Sequence, residues 1–150
     1  MRADAIAAIA RARALRPGIA IGADVIAGFP TETEALFTET LDFIREADVP
    51  FLHVFPYSER PGTPAARMPA VPVALRRERA ARLREVGQAN TRRFLAAQVG
   101  RTVSLLTESG NAGHSEHFAP VRLATAAEPG RLMAARVVRV ADDTLLADAA

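Results

Sequence analysis

The spacing of apolar residues divides the chain into stretches of different period. From Ala3 to Leu15 an alanine-rich stretch places Ile6, Ile9 and Ala10 on one side of a short helix, which Pro17-Gly18 ends. Ile19 to Gly28 is then apolar and β-branched apart from Asp24, the pattern of a strand buried on both faces. Thr31 and Glu34 read as a capping box, with Glu32 adding negative charge to the first helical turn. Leu36, Phe37, Leu41, Ile44 and Ala47 follow at helical spacing, Pro50 resets the chain, and Phe51 to Phe55 forms a second apolar strand. Strand, helix and strand joined by short links predict a βαβ unit with parallel strands.

Residues 56–72 hold five prolines and one glycine, which predicts a stiff irregular strap. Pro72 suits the first position of a long helix running to about Val99, with Gly100 as its stop. Leu75, Leu83, Val86 and Phe94 mark an apolar stripe on it. Arg76, Arg77, Arg79, Arg82, Arg84, Arg92 and Arg93 crowd the remaining surface, which reads as a solvated face or, second, as one turned to a polyanion. After Gly100 the period becomes two, at Thr102–Leu105, Val121–Leu123 and Met133–Val137, with a turn signal at Glu128-Pro-Gly130. Several short strands within so few residues predict a small barrel of OB-like size. The fold class is therefore α/β followed by all-β: an α/β portion over residues 1–72, a connecting basic helix over 73–100, and a β module over 101–150.

Composition narrows the chemistry. The chain has no cysteine, which excludes disulfides, thiolate zinc sites, cysteine nucleophiles and any iron–sulfur cluster held by its own thiolates. No run approaches the roughly 18 apolar residues of a membrane span, and charges interrupt the N-terminal stretch, so the expectation is a cytoplasmic protein without a leader or membrane partner. All basic residues are arginine; residues 1–72 are net acidic and residues 73–150 net basic. The second half is thus where a polyanion is expected.

Two stretches carry a more specific signal: GADVIAGFPTET (Gly22–Thr33) and HVFPYSERPGTPAARMP (His53–Pro69). They resemble the last strand–helix units of the radical-SAM barrel in tRNA methylthiotransferases, with a strand ending in DVI-x-GFP-x-E and a later YS-x-RPGTPAA. The HVFPYS form is most similar to the MtaB type, which methylthiolates threonylcarbamoyladenosine beside the anticodon. The β module resembles in place and size the TRAM domain that ends these enzymes and grips RNA. The resemblance implies a partial (β/α) barrel, tRNA as partner, and S-adenosylmethionine with two 4Fe-4S clusters as cofactors of the complete enzyme. The family's CxxxCxxC and its N-terminal domain would lie upstream of Met1, so the isolated chain is expected to be inactive. The rival reading is a non-catalytic RNA-binding module. Thr31 stands where the family often has glycine, a departure without consequence if Thr31 caps the helix.

On this resemblance the residues expected to touch cofactor or substrate are Asp24, which sits mid-strand, and Gly28, Glu32, Tyr57, Ser58, Arg60 and Thr63, which follow strand ends. Gly28 would allow close approach to a ligand. Tyr57, Ser58, Arg60 and Thr63 would offer hydroxyls and one guanidinium from a proline-stiffened loop. Taken without the resemblance, Glu32 is a helix-start charge, Asp24 is either a paired structural carboxylate or a pocket group, and His53 is a hydrogen-bonded core histidine or faces a cofactor. His114 and His117 form H-x-x-H with no third ligand nearby, so no metal is assigned. For RNA the expected residues are Arg92, Arg93, Arg101, Arg122, Arg136 and Arg139. Phe118 is the one aromatic of the β module, which favours backbone and shape recognition over base reading.

Overall fold

The computed structural model describes residues 2–150, which divide within a long helix into two compact units, 1–90 and 91–150. The first unit runs α1 (Arg2–Leu15), β1 (Gly22–Ala27), α2 (Glu34–Ala47), β2 (Phe51–Pro56) and most of α3 (Val73–Ala96). β1 and β2 pair in parallel, from Gly22 opposite Phe51 to Ala27 opposite Pro56. One face of this ribbon is the core. Ala27 and Val54 are buried with Phe37, Leu41 and Ile44 of α2 and Ala80 and Leu83 of α3, with Val25, Leu52 and Val86 packed against them.

The other face is open. Asp24 and Ile26 of β1 stand in register beside His53 and Phe55 of β2, and all four are exposed. The expectation of a strand buried on both faces is therefore corrected: two strands with helices on one side leave the second side uncovered. His53 is likewise no core histidine in this chain.

The capping box is also corrected. Thr33, not Thr31, is the N-cap of α2; its Oγ1 accepts from Leu36 N at 3.2 Å. A tight turn, closed by Glu32 N donating to Phe29 O (2.9 Å), uses up residues 29–32 and delays the helix start. Within that turn Thr31 takes φ +68, the left-handed region that favours glycine. A glycine, as in the pattern this stretch resembles, would match the backbone, and threonine is the strained choice.

α3 differs most from its expected face. Its inward stripe is Arg76, Ala80, Leu83, Gly87 and Asn90, a strict 4-3-4-3 spacing, with Arg79 buried beside it. Leu75 and Val86 lie half-buried at its edge. Gly87 makes room there, since a Cβ would meet Leu52 Cβ at 3.0 Å. Asn90 donates to Ile44 O (3.2 Å) and Val49 O (3.1 Å). Arg13 of α1 donates to Ala47 O and Asp48 O (2.9 and 2.8 Å). The carbonyl end of α2 is thus satisfied by two side chains.

The second unit is a closed barrel ordered β3-β4-β5-β7-β6. Its strands are β3 (Thr102–Ser109), β4 (Ala112–Ser115), β5 (Pro120–Leu123), β6 (Leu132–Ala141) and β7 (Thr144–Ala149). β6 pairs back onto β3, so no edge is left unpaired, and β5 and β7 run in parallel. Val103, Leu105, Val121, Leu123, Ala135, Val137, Leu145 and Ala147 fill the interior by simple alternation. β4 and β7 had no signal in the alternation pattern. Among the described residues no helix is long and apolar enough to cross a membrane.

Candidate functional site

The two motif stretches meet at the C-terminal ends of β1 and β2. The chain leaves β1 through Gly28 (φ +74) and β2 through Tyr57, whose N–H donates to Ala27 O at 2.8 Å. Phe29 and Tyr57 touch edge to face, with ring centroids 5.4 Å apart. The turns are fastened together by arginines of α3. Arg76 donates from Nε to Val71 O (2.6 Å), from Nη1 to Tyr57 O (3.2 Å) and from Nη2 to Glu59 (2.9 Å). Arg79 Nη1 reaches both Glu32 O (3.0 Å) and Glu32 Oε2 (2.7 Å), and Nη2 reaches Glu34 (3.2 Å). Arg84 donates to Val54 O at 3.0 Å. The face expected to be solvated therefore contributes three arginines to the loops and strand end that carry the motifs.

This geometry gives each expected residue a place. Gly28 is needed, and what approaches it is protein: a Cβ there would lie 2.6 Å from Arg76 Cγ and 3.0 Å from Arg76 Cα. Glu32 directs its carboxylate inward, accepting from Gly28 N (3.0 Å) and from Arg79, with the Glu32 side chain only 12% exposed. Thr63 Oγ1 donates to Arg60 O (2.9 Å) and accepts from Ala66 N (3.3 Å), so it shapes the loop. Tyr57, Ser58, Arg60 and Thr63 line one cleft of about 420 Å³ together with Ile26 and Phe55. Asp24 is not among those lining residues; it lies one pair further down the open face, opposite His53. A second cleft of about 520 Å³ borders the Phe29–Glu32 turn and α2. Its polar neighbours Arg2 and Thr40 are committed to Glu46 and to Leu36 O.

The Glu34 carboxyl has a displaced titration. The hydrogen bond from Arg82, reinforced by Arg79, holds its carboxyl below the usual range against a smaller opposing effect of desolvation. Arg82 also lies over the Phe37 ring, 4.6 Å from its centroid.

On the barrel, Arg101, Arg122, Arg136 and Arg139 are all exposed, as are Arg92 and Arg93 on the last turns of α3. Arg136 and Arg139 are three residues apart, so strict alternation would send them to opposite faces. A register shift between Val137 and Arg139 brings both outward. Arg122 and Arg139 then flank Leu146 from the two neighbouring strands, in a shallow groove completed by Val138 and Asp148. Arg136 stands opposite Asp148. Arg92, Arg93 and Arg101 are not among the groove's lining residues. The two histidines diverge: His114 pairs with Glu108 (2.9 Å), and His117 packs edge-on against Phe94. Among the described residues no group of three or more His, Cys, Asp or Glu could hold a metal ion.

The arginine clasp on the motif loops was not legible as function in the sequence. Its one signal was the 76-80-83-87-90 spacing, which places a charge where an apolar residue is expected.

Two units follow one another: an α/β piece with a cleft at its strand ends and one open sheet face, then a closed β-barrel with outward arginines. No protein-family model matches the chain. Curated relatives do. The chain is 47% identical, over 93% of its length, to the threonylcarbamoyladenosine tRNA methylthiotransferase MtaB of Rickettsia prowazekii, covering 33% of that protein. It is 34% identical over 79% of its length to MtaB of Aquifex aeolicus, covering 29%. It is 39% identical over 93% to the tRNA-2-methylthio-N(6)-dimethylallyladenosine synthase of Acidothermus cellulolyticus, covering 31%. The chain belongs to this family of tRNA methylthiotransferases and spans about a third of the length of the relatives it matches.

Proposed function

We propose that the chain is the closing portion of a tRNA methylthiotransferase acting on threonylcarbamoyladenosine. In this reading residues 1–72 supply the last strand–helix units of a radical-SAM (β/α) barrel, residues 73–100 connect, and residues 101–150 form a TRAM-like barrel that holds tRNA in the cytoplasm. The observation that carries it is the continuous similarity through both units to a protein of that name, 47% identical over 93% of the chain. The open face supports it: Asp24, Ile26, His53 and Phe55 lie where a completed barrel has its interior.

The strand-end cleft fits one flank of an adenosyl ligand. Ile26 and Phe55 offer an apolar surface, and Ser58 and Arg60 place polar groups beside it. Asp24, exposed one pair further down the same face, is the remaining acceptor for a ribose or amino group. Gly28, Glu32, Tyr57 and Thr63 then act by shaping the turns, with Arg76 and Arg79 holding them. S-adenosylmethionine, when bound in the complete enzyme, would supply the radical chemistry that the family resemblance implies. This cysteine-free chain offers no thiolate to either 4Fe-4S cluster, so its own share is binding and orientation. Reconstituted with iron and sulfide, it is expected to cleave no S-adenosylmethionine; cleavage would overturn that assignment.

The barrel's part is tested by filter binding of unfractionated tRNA over 50 to 200 mM salt. Each phosphate contact contributes roughly 0.7–0.9 to the log–log slope, so replacing Arg122 and Arg139 by alanine should flatten it by roughly 1.5. A parent protein with no salt-dependent binding would remove the RNA reading. The alternative, a non-catalytic RNA-binding module, draws on the barrel closing all its own edges. It predicts tRNA binding unchanged by adding the preceding two-thirds of the Rickettsia relative, and no methylthiolation by the mixture.

A further inference from the structure

Phe118 is 84% exposed, the most exposed large apolar side chain of the described residues. It also holds φ +59, a left-handed conformation that aromatic residues rarely adopt. Asparagine or glycine would take that backbone at less cost and would expose no apolar ring to water. The position therefore bears two costs with no packing in return.

The turn that presents it is firmly built. Phe118 N donates to Ser115 O (2.9 Å), Ser115 N to Ala119 O (2.9 Å) and His117 N to Ser115 Oγ (3.3 Å). The turn is also tied to β3: Glu116 N donates to Ser104 O (3.0 Å), and Ser104 N donates to the Glu116 carboxylate (2.8 Å). The His117 ring rests edge-on against Phe94, centroids 5.5 Å apart, which sets the turn beside the last turns of α3, where Arg92 and Arg93 are exposed. The ring is held out by a rigid loop instead of hanging from a mobile one.

Backbone strain of this kind collects at functional positions. A single ring flanked by Glu116 and His117 is far smaller than a stable protein interface. It matches the face of one nucleobase, and aromatic side chains on small barrels serve as platforms for such bases. We infer that Phe118 is a stacking platform for an unpaired base of the bound RNA, an inference that rests on tRNA being the partner. This reverses the expectation drawn from there being only one aromatic: one ring, rigidly presented, gives the barrel a contact to a base as well as to the backbone.

The chain has no tryptophan, so Phe118→Trp introduces a sole indole at the site. Titrated with unfractionated tRNA, its emission should be quenched over the concentration range in which filter binding saturates. Phe118→Asn should weaken tRNA binding by roughly five- to a hundredfold, while its thermal midpoint stays equal to the parent's or rises. Parental affinity in Phe118→Asn with no quenching in Phe118→Trp would overturn the inference and leave the RNA reading standing. Loss of binding together with a lowered midpoint would make Phe118 structural and also overturn it. A concentration-dependent dimer abolished by Phe118→Asn would assign the ring to a protein contact instead. Failure of the parent chain to bind tRNA at all would remove both.

Discussion

Replacing Arg79 by methionine should unfold the first unit far more easily while leaving the barrel untouched. Arg79 is 3% exposed in its side chain and Glu32 12%, and their closest atoms are 2.7 Å apart. Methionine keeps most of the apolar stem but leaves the Glu32 carboxylate with only the Gly28 N–H, and it strips Glu32 O of a donor. Removing one partner of a buried pair costs about 3–5 kcal/mol. Two facts pull the value down: the contact to half-exposed Glu34 is worth little, and Arg79 Nε is buried without an acceptor, a cost methionine does not carry. The expected loss is therefore about 3 kcal/mol.

The chain's sole tyrosine, Tyr57, lies in the first unit, so its fluorescence follows that unit in urea, while far-ultraviolet circular dichroism follows both. With a slope of about 1–2 kcal/mol per molar urea, the Tyr57 midpoint should fall by about 1.5–3 M and the second transition should stay in place. Combining Arg79→Met with Glu32→Gln should cost clearly less than the sum of the two, with a coupling of about 1.5 kcal/mol or more. A single variant within about 0.5 kcal/mol of the parent, or strictly additive losses, would show that the pair does not hold the motif turn.

Thr31→Gly should stabilise the first unit by about 0.5–1 kcal/mol, because removing the Cβ relieves the φ +68 strain by more than glycine's extra chain entropy costs; a lower Tyr57 midpoint would contradict the assigned backbone. Glu34 has a depressed folded-state pKa, so its contribution is present above the ordinary glutamate range and disappears as pH falls through the depressed value. An NMR titration should find its carboxyl midpoint lower in the parent than in Arg82→Ala, and equal midpoints would remove Arg82 as the cause. Ile26→Ser with Phe55→Ser should reduce concentration-dependent light scattering by the isolated chain and change the unfolding midpoint little, since both residues are more than half exposed. Unchanged scattering would show that the open face is not what self-associates.

The elements with a clean period were legible in advance, and the exceptions have identifiable causes. The βαβ unit followed from two apolar runs and a helical stripe at Phe37, Leu41 and Ile44. Thr31 reads as the cap in the sequence, whereas Thr33, two residues further on, is the one that serves. Which one serves depends on the 29–32 turn closing first, a nonlocal matter because Thr31 N is bonded to Pro69 O. β4 was missed because Ala112-Gly113 lack side chains that alternate visibly; Gly113 is there because a Cβ would lie 2.0 Å from Leu106 O. β7 was missed because its Leu145-Leu146 pair points one residue in and one out. The inward arginines escaped because charge was read as exposure, when the carbonyls of Val71, Tyr57 and Glu32 at the loops needed donors.

The inward arginines change the character of the basic half of the chain. Its excess of arginine suggested a broad cationic surface for nucleic acid. Yet Arg76, Arg79 and Arg84 donate to backbone or side chains of the first unit, and Arg82 pairs with Glu34 and Glu78. Residues 91–150 carry seven arginines against six acidic side chains, close to electrically balanced. Long-range attraction from such a unit is weak, so the proposed affinity for RNA would rest on local arrangement. The bulge that turns Arg139 to the same side as Arg122, and the rigid turn that holds Phe118 out, are arrangements of that kind. The salt slope of binding should therefore reflect the few arginines brought together by the barrel, roughly two to four phosphate contacts. A slope demanding eight or more would mean that the arginines of α3 leave their carbonyl partners when RNA binds.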